Sequence, residues 1–201
     1  MRNTKTLIMV EAAFMVALAT ALSFVKIFKL PWGGAITLLS MLPIVIFSIR
    51  RDIKAGLICS FVYSIVQLGL GIGLDGLLGW GLTPAMLFGC IMLDYILAFS
   101  VLGLAGIFKS KGLKGWIGGI VLAIVLRFVM HFLSGYIIFH GFGELWGGFF
   151  TENSVLYSIC YNGAYMLPEL IFTVIGAVVL LSTPQIKKII LFEGKGLNED
   201  K

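Results

Sequence analysis

Long apolar runs separated by short polar or glycine-rich breaks set the pattern of this chain. A transmembrane helix needs about 20 mostly apolar residues. On that measure the pattern predicts six spans, at about residues 7–25, 35–49, 54–73, 83–108, 115–139 and 155–181. The breaks between them alternate in character. Arg50, Arg51 and Lys54 lie between spans two and three, Lys109, Lys111 and Lys114 between four and five, and Lys187, Lys188 and Lys195 after span six. All fall on the same side as Arg2 and Lys5, so the excess of positive charge on cytoplasmic loops predicts both termini in the cytoplasm. Lys26 and Lys29 oppose this from the first outer loop; they are outnumbered and are expected to snorkel from the end of helix one. The outer segments 74–83 and 140–154 are rich in glycine and aromatics and carry Asp75, Glu144 and Glu152. They read either as a lid or as an interfacial belt built around Trp80 and Trp146.

Composition agrees with a membrane protein and narrows its class. Of 201 residues, 59% are hydrophobic and 12% charged, about half the charge of an ordinary soluble domain. The expected fold is therefore all-α and integral to the membrane, a single six-helix domain over 1–201 with a disordered polar tail from about residue 192. The net charge of +5 is spread between spans and forms no stripe for nucleic acid. Cys59, Cys90 and Cys160 lie in apolar runs without C-x-x-C spacing, which predicts small buried side chains and no metal site. The first run lacks a small-residue cleavage site and is expected to be retained. Pro43, Pro84 and Pro168 fall in or near span starts, where each removes a backbone donor.

Ionisable groups inside spans are costly unless they face a polar interior, which singles out Asp94, Arg127, His131 and Glu169. The helical rise of 1.5 Å per residue puts Asp94, His131 and Asn162 in the outward half, with Arg127 and Glu169 deeper. Aromatic residues surround them: Tyr95, Phe128, Phe139, Tyr157 and Tyr161. A carboxylate among aromatic faces suits a planar organic cation entering from outside. The competing reading makes the charges structural, with Arg127 paired to Glu169 and the aromatics as core. No G-x-x-x-x-G-K phosphate loop and no H-E-x-x-H motif occur, so binding rather than catalysis is expected. Ala13, Ala17 and Ala21 recur every fourth residue on helix one, a small-residue face suited to another helix.

These residues carry a resemblance. Segments LDYILAFSVLGLAGIF (93–108), HFLSGYIIF (131–139) and LYSICYNGAYMLPE (156–169), with the alanine face and LPIVIFSIRRDIKAGL (42–57), make the chain similar to the thiamine-specific S components (ThiT family) of the energy-coupling factor transporters. The resemblance implies a six-helix subunit, not an enzyme, that captures thiamine from outside. It needs no cofactor of its own and works with a coupling transmembrane subunit and two ATPase subunits that use ATP. It further implies that Asp94, Tyr95, His131, Phe128, Phe139, Tyr157, Asn162 and Trp32 form the substrate site, and that Ala13 and Ala17 meet the coupling subunit. Two departures are visible: residues 35–41 read AITLLSM, with no carboxylate where the family offers one, and the loop before helix four is longer than in the family. The alternatives are an S component for another small aromatic nutrient, such as a thiamine pyrimidine precursor or riboflavin, and a standalone secondary transporter.

Overall fold

A computed structural model describes residues 4–30 and 34–192. The chain order is α1 (Thr4–Ser23), β1 (Lys26–Lys29), β2 (Ala35–Thr37), α2 (Leu42–Arg50), α3 (Ile53–Gly73), α4 (Pro84–Gly106), α5 (Gly112–Ile137), β3 (Gly143–Glu144), β4 (Phe150–Thr151), α6 (Ser154–Ser182) and α7 (Pro184–Phe192). Both strand pairs are short antiparallel hairpins lying between helices. The polar tail from 193, and Trp32 with its two neighbours, lie outside the described residues.

Five helices, α1, α3, α4, α5 and α6, are long and apolar enough to cross a membrane. Their outward faces carry Met9, Phe14, Phe88, Leu167 and Val179, all exposed, as helices solvated by lipid require. The second sequence-predicted span differs. Residues 35–37 form a strand bonded to Lys26–Lys29 rather than a helix, and α2 begins only at Leu42. Its nine residues cover about 14 Å at 1.5 Å each, under half the hydrocarbon thickness. The physical reason is that α2 is buried in protein: Leu42, Ile44, Val45, Phe47 and Ile49 are all interior. A run can be apolar because neighbouring helices cover it as well as because lipid does, and hydropathy does not separate the two.

Local chemistry sets the helix starts. Asp52 is extended and its carboxylate accepts from Ala55 N at 2.7 Å, capping α3. Thr83 caps α4 ahead of Pro84, and Asn153 caps α6 by accepting from Val155 N and Leu156 N. Such caps satisfy amides that the helix leaves unpaired. Close approach between helices depends on glycine. A Cβ on Gly103 would stand 2.6 Å from the Leu57 backbone, and one on Gly119 would run into the Ala105 carbonyl. These contacts bring α3, α4 and α5 together around Phe47, Tyr63, Leu102 and Ile120.

At one end of the bundle Glu11 of α1 meets the end of α2. Arg50 Nε lies 2.7 Å from Glu11 Oε1, and Arg51 bonds Glu11 Oε2 while Lys109 donates to the Arg51 carbonyl. The carboxylate is mostly shielded from solvent, and this clamp fixes α1 against α2 and the turn that precedes α5.

Candidate functional site

A cavity of about 850 Å³ opens between α3, α4, α5, α6, the β1–β2 hairpin and the loops around β3 and β4. It is large enough for a small organic molecule. The lining combines helix side chains with residues from the glycine-rich segments 74–83 and 140–154, among them Asp75, Trp80, Phe142 and Glu144.

Asp94 is the polar centre. It sits with Tyr95 in a π-helical stretch of α4, Ile91–Leu97, where the turn widens to i→i+5 bonding, a feature often found at functional sites. Its carboxylate accepts from Ser134 Oγ, lies 2.8 Å from His131 Nδ1, and is 3.3 Å from Cys90 Sγ. With the imidazole neutral, an Nδ1–H donated to Asp94 leaves Nε2 as an acceptor. That atom is buried without a protein partner. The Asp94–His131 pair thus offers a negative charge and an unfilled acceptor.

Asn162 lines the same cavity, but its groups are already used. Its amide donates to the His131 carbonyl and to Ser158, while the Tyr165 hydroxyl donates to its Oδ1 at 2.8 Å. It therefore ties α5 to α6 and supports His131 from behind. Tyr157 and Tyr161 stack with ring centroids 6.0 Å apart, and Phe139 leans against Trp80 at 6.2 Å. These rings supply flat apolar walls.

Of the sequence-predicted site residues, the cavity brings together Asp94, Tyr95, His131, Phe139, Tyr157 and Asn162. Phe128 is not among its lining residues; it packs against the core and stacks on Phe132. Trp32 falls outside the described residues. Ala13, Ala17 and Ala21 are exposed together on one face of α1, opposite buried Val16 and Ala19.

Three expectations for charged groups change. Arg127 and Glu169 do not form an ion pair: Glu169 Oε1 accepts from both the amide and the hydroxyl of Thr37, while the Arg127 guanidinium lies 4.2 Å from the Phe99 ring centroid. The segment 35–41, which has no carboxylate of its own, receives one from α6. Lys26 and Lys29 do not snorkel from a helix end. They project from β1, and both bond Asp75 Oδ1, at 3.4 and 2.9 Å, tying the hairpin to the α3–α4 loop. Burial alone would raise the Asp75 carboxyl, but the two ammonium groups outweigh it and hold its pKa below the ordinary carboxylate value.

Sequence reasoning missed Ser134, Gln67, Thr37 and Ser40, all of which line the cavity. Ser134 stands three residues from His131, on the same helical face. Gln67 is an amide in the middle of an apolar span, a signal of the same kind as Asp94. Thr37 and Ser40 carried no signal while the segment was read as a helix.

The family described as Thiamine transporter protein (Thia_YuaJ) matches residues 9–189. Thiamine transporter ThiT of Bacillus subtilis (strain 168) is 30% identical over 202 residues, covering 91% of this chain and 95% of that protein. Among solved structures, ThiT from Listeria monocytogenes superposes with a TM-score of 0.67 at 23% identity, over 92% of this chain and 98% of that one.

Proposed function

The chain belongs to the thiamine transporter protein family, a family of multi-pass membrane transporters rather than enzymes, and from that premise we propose that it is the thiamine-capturing S component of an energy-coupling factor transporter. The guest binds in the cavity centred on Asp94. α2 with its preceding hairpin serves as the sixth crossing, both termini face the cytoplasm, and the cavity opens outward.

The observation that carries this reading is the chemistry of the lining. Three cations, Lys26, Lys29 and Arg127, face four carboxylates, Asp75, Asp94, Glu144 and Glu169. With His131 neutral and all four carboxylates ionised, the lining carries one uncompensated negative charge and walls of stacked aromatic rings. Thiamine is a flat aminopyrimidine joined to a cationic thiazolium ring, so it supplies the missing charge and the faces to stack. Asp94 balances the cation or accepts from the amino group. His131 orients the guest, and Tyr95, Phe139 and Tyr157 flank it. Asn162 holds His131 in place. The deeper residues Arg127 and Glu169 form the floor.

No P-loop is present, so uphill uptake draws on a coupling subunit and two ATPase subunits that spend ATP. The exposed Ala13, Ala17 and Ala21 face is where the coupling subunit docks, because small side chains let a second helix approach.

Mass spectrometry of whatever molecule co-purifies, followed by a titration panel read by Trp fluorescence, tests the ligand. Thiamine is expected to saturate the signal, and tighter binding of riboflavin or of a pyrimidine precursor would refute the assignment. Thiamine uptake by cells lacking the coupling subunit and ATPases would refute the S-component role.

A further inference from the structure

The floor of the cavity holds two groups that the protein leaves unsatisfied. Glu169, 2% exposed, spends Oε1 on Thr37, while Oε2 is buried with no partner. Arg127 turns Nη1 toward Met41 Sδ and lays its guanidinium over Phe99, while its Nε is buried with no partner. Both residues line the cavity and the Arg127 charge acts on Glu169, yet they form no ion pair. An unfilled acceptor on a buried carboxylate and an unfilled donor on a buried guanidinium are each costly. Their coexistence in one pocket points to a guest group that both accepts and donates.

Position narrows the choice. Arg127 lies four residues below His131 on α5, about 6 Å along the axis. Glu169 lies two turns below Asn162 on α6. A guest whose ring sits level with Asp94 and His131 therefore reaches the floor only through a short flexible arm. A cationic end on that arm would meet Arg127 unfavourably, and an anionic end would meet Glu169. A neutral hydroxyl satisfies both, because its O–H donates while its lone pairs accept.

Resting on the thiamine reading, we infer that Arg127 and Glu169 are specificity residues for the hydroxyl-bearing arm of the guest, which donates to Glu169 Oε2 and accepts from the Arg127 Nε–H. The rival occupant is a fixed water that satisfies the same two atoms and leaves the guest's hydroxyl unread.

The test uses the full chain in detergent and two probes, thiamine and its analogue with hydrogen in place of the hydroxyl, titrated by calorimetry. The wild type should prefer thiamine by about tenfold or more, the scale of a hydrogen bond to a charged partner. Glu169→Gln keeps an acceptor for Thr37 but places an amide N–H₂ where Oε2 stood, so the preference should shrink to about threefold or less. Arg127→Lys, which keeps the charge and loses Nε, should narrow it likewise and serves if the first variant does not fold. Equal binding of the two probes by the wild type, or an undiminished preference in both variants, would overturn the floor assignment alone. Failure of both probes to bind the wild type would overturn the thiamine reading and this inference with it.

Discussion

Replacing Asp94 by asparagine removes one negative charge while preserving size and shape. The structure lets the cost be bounded. The carboxylate receives Ser134, His131 and Cys90, and its side chain is 18% exposed, so solvent screens it only in part. Ser134 can turn its hydroxyl to serve an amide, and His131 can keep donating to the remaining Oδ1, so the local fold should survive. What is lost is the attraction to a cationic guest in a water-poor cavity. Breaking one side of such a buried charged contact costs about 2–5 kcal/mol, which weakens binding by about 30-fold to a few thousand-fold. Calorimetric titration of thiamine into both proteins measures this directly. A neutral isostere of the thiazolium ring provides the control, because its affinity should fall far less. If Asp94→Asn bound thiamine within about threefold of the wild type, or lost the neutral isostere equally, the charge argument would be wrong.

Other expectations concern the scaffold. Gly119→Leu drives a side chain into the Ala105 carbonyl and should destabilise by about 1–3 kcal/mol, seen as a lower unfolding midpoint in a fixed detergent. Glu11→Gln removes the carboxylate charge that pairs with Arg50 and Arg51; removing the charge of one member of a mostly buried pair should cost about 3–5 kcal/mol with thiamine affinity unchanged, and a stable variant would show that the clamp is idle. For Asp75, whose carboxyl is held below its ordinary value, the ion-pair contribution is fully present above the unfolded-state pKa and disappears as pH falls through the depressed folded value. Amide exchange in β1 should therefore speed up only at pH below the normal carboxylate range, and at neutral pH in Asp75→Asn. Being partly exposed, the tether should also weaken at high salt.

Fold class and the polar centre were legible in the sequence for the same reason. Lipid penalises charge so heavily that Asp94 and His131 stand out within apolar runs, and the intervening lysines mark the turns. What escaped notice depended on burial that hydropathy does not register. Residues 42–50 are apolar because helices enclose them, and 35–37 pair as a strand because Lys26–Lys29 lie alongside, so neither could be told from a spanning helix. Phe128 looked equivalent to Phe139 as an aromatic near His131, yet the rotation of α5 sends it to the core. Asn162 was visible as a polar residue, but its bonds depend on Ser158 and Tyr165 of its own helix and on the His131 carbonyl of α5 converging on one amide, which composition does not reveal.

The widened turn at Ile91–Leu97 has a practical corollary for engineering. The helix is underwound across Ile91–Leu97 and overwound, with i→i+3 bonding, across Val101–Gly106, so a regular wheel drawn straight through 84–106 misplaces the residues between the two stretches, Ala98–Ser100. Mutational libraries aimed at the pocket from α4 should be phased separately above and below Asp94. A single-residue deletion inside Ile91–Leu97 would turn Asp94 and Tyr95 together relative to the pocket, and so tests the winding of the helix without introducing a new side chain.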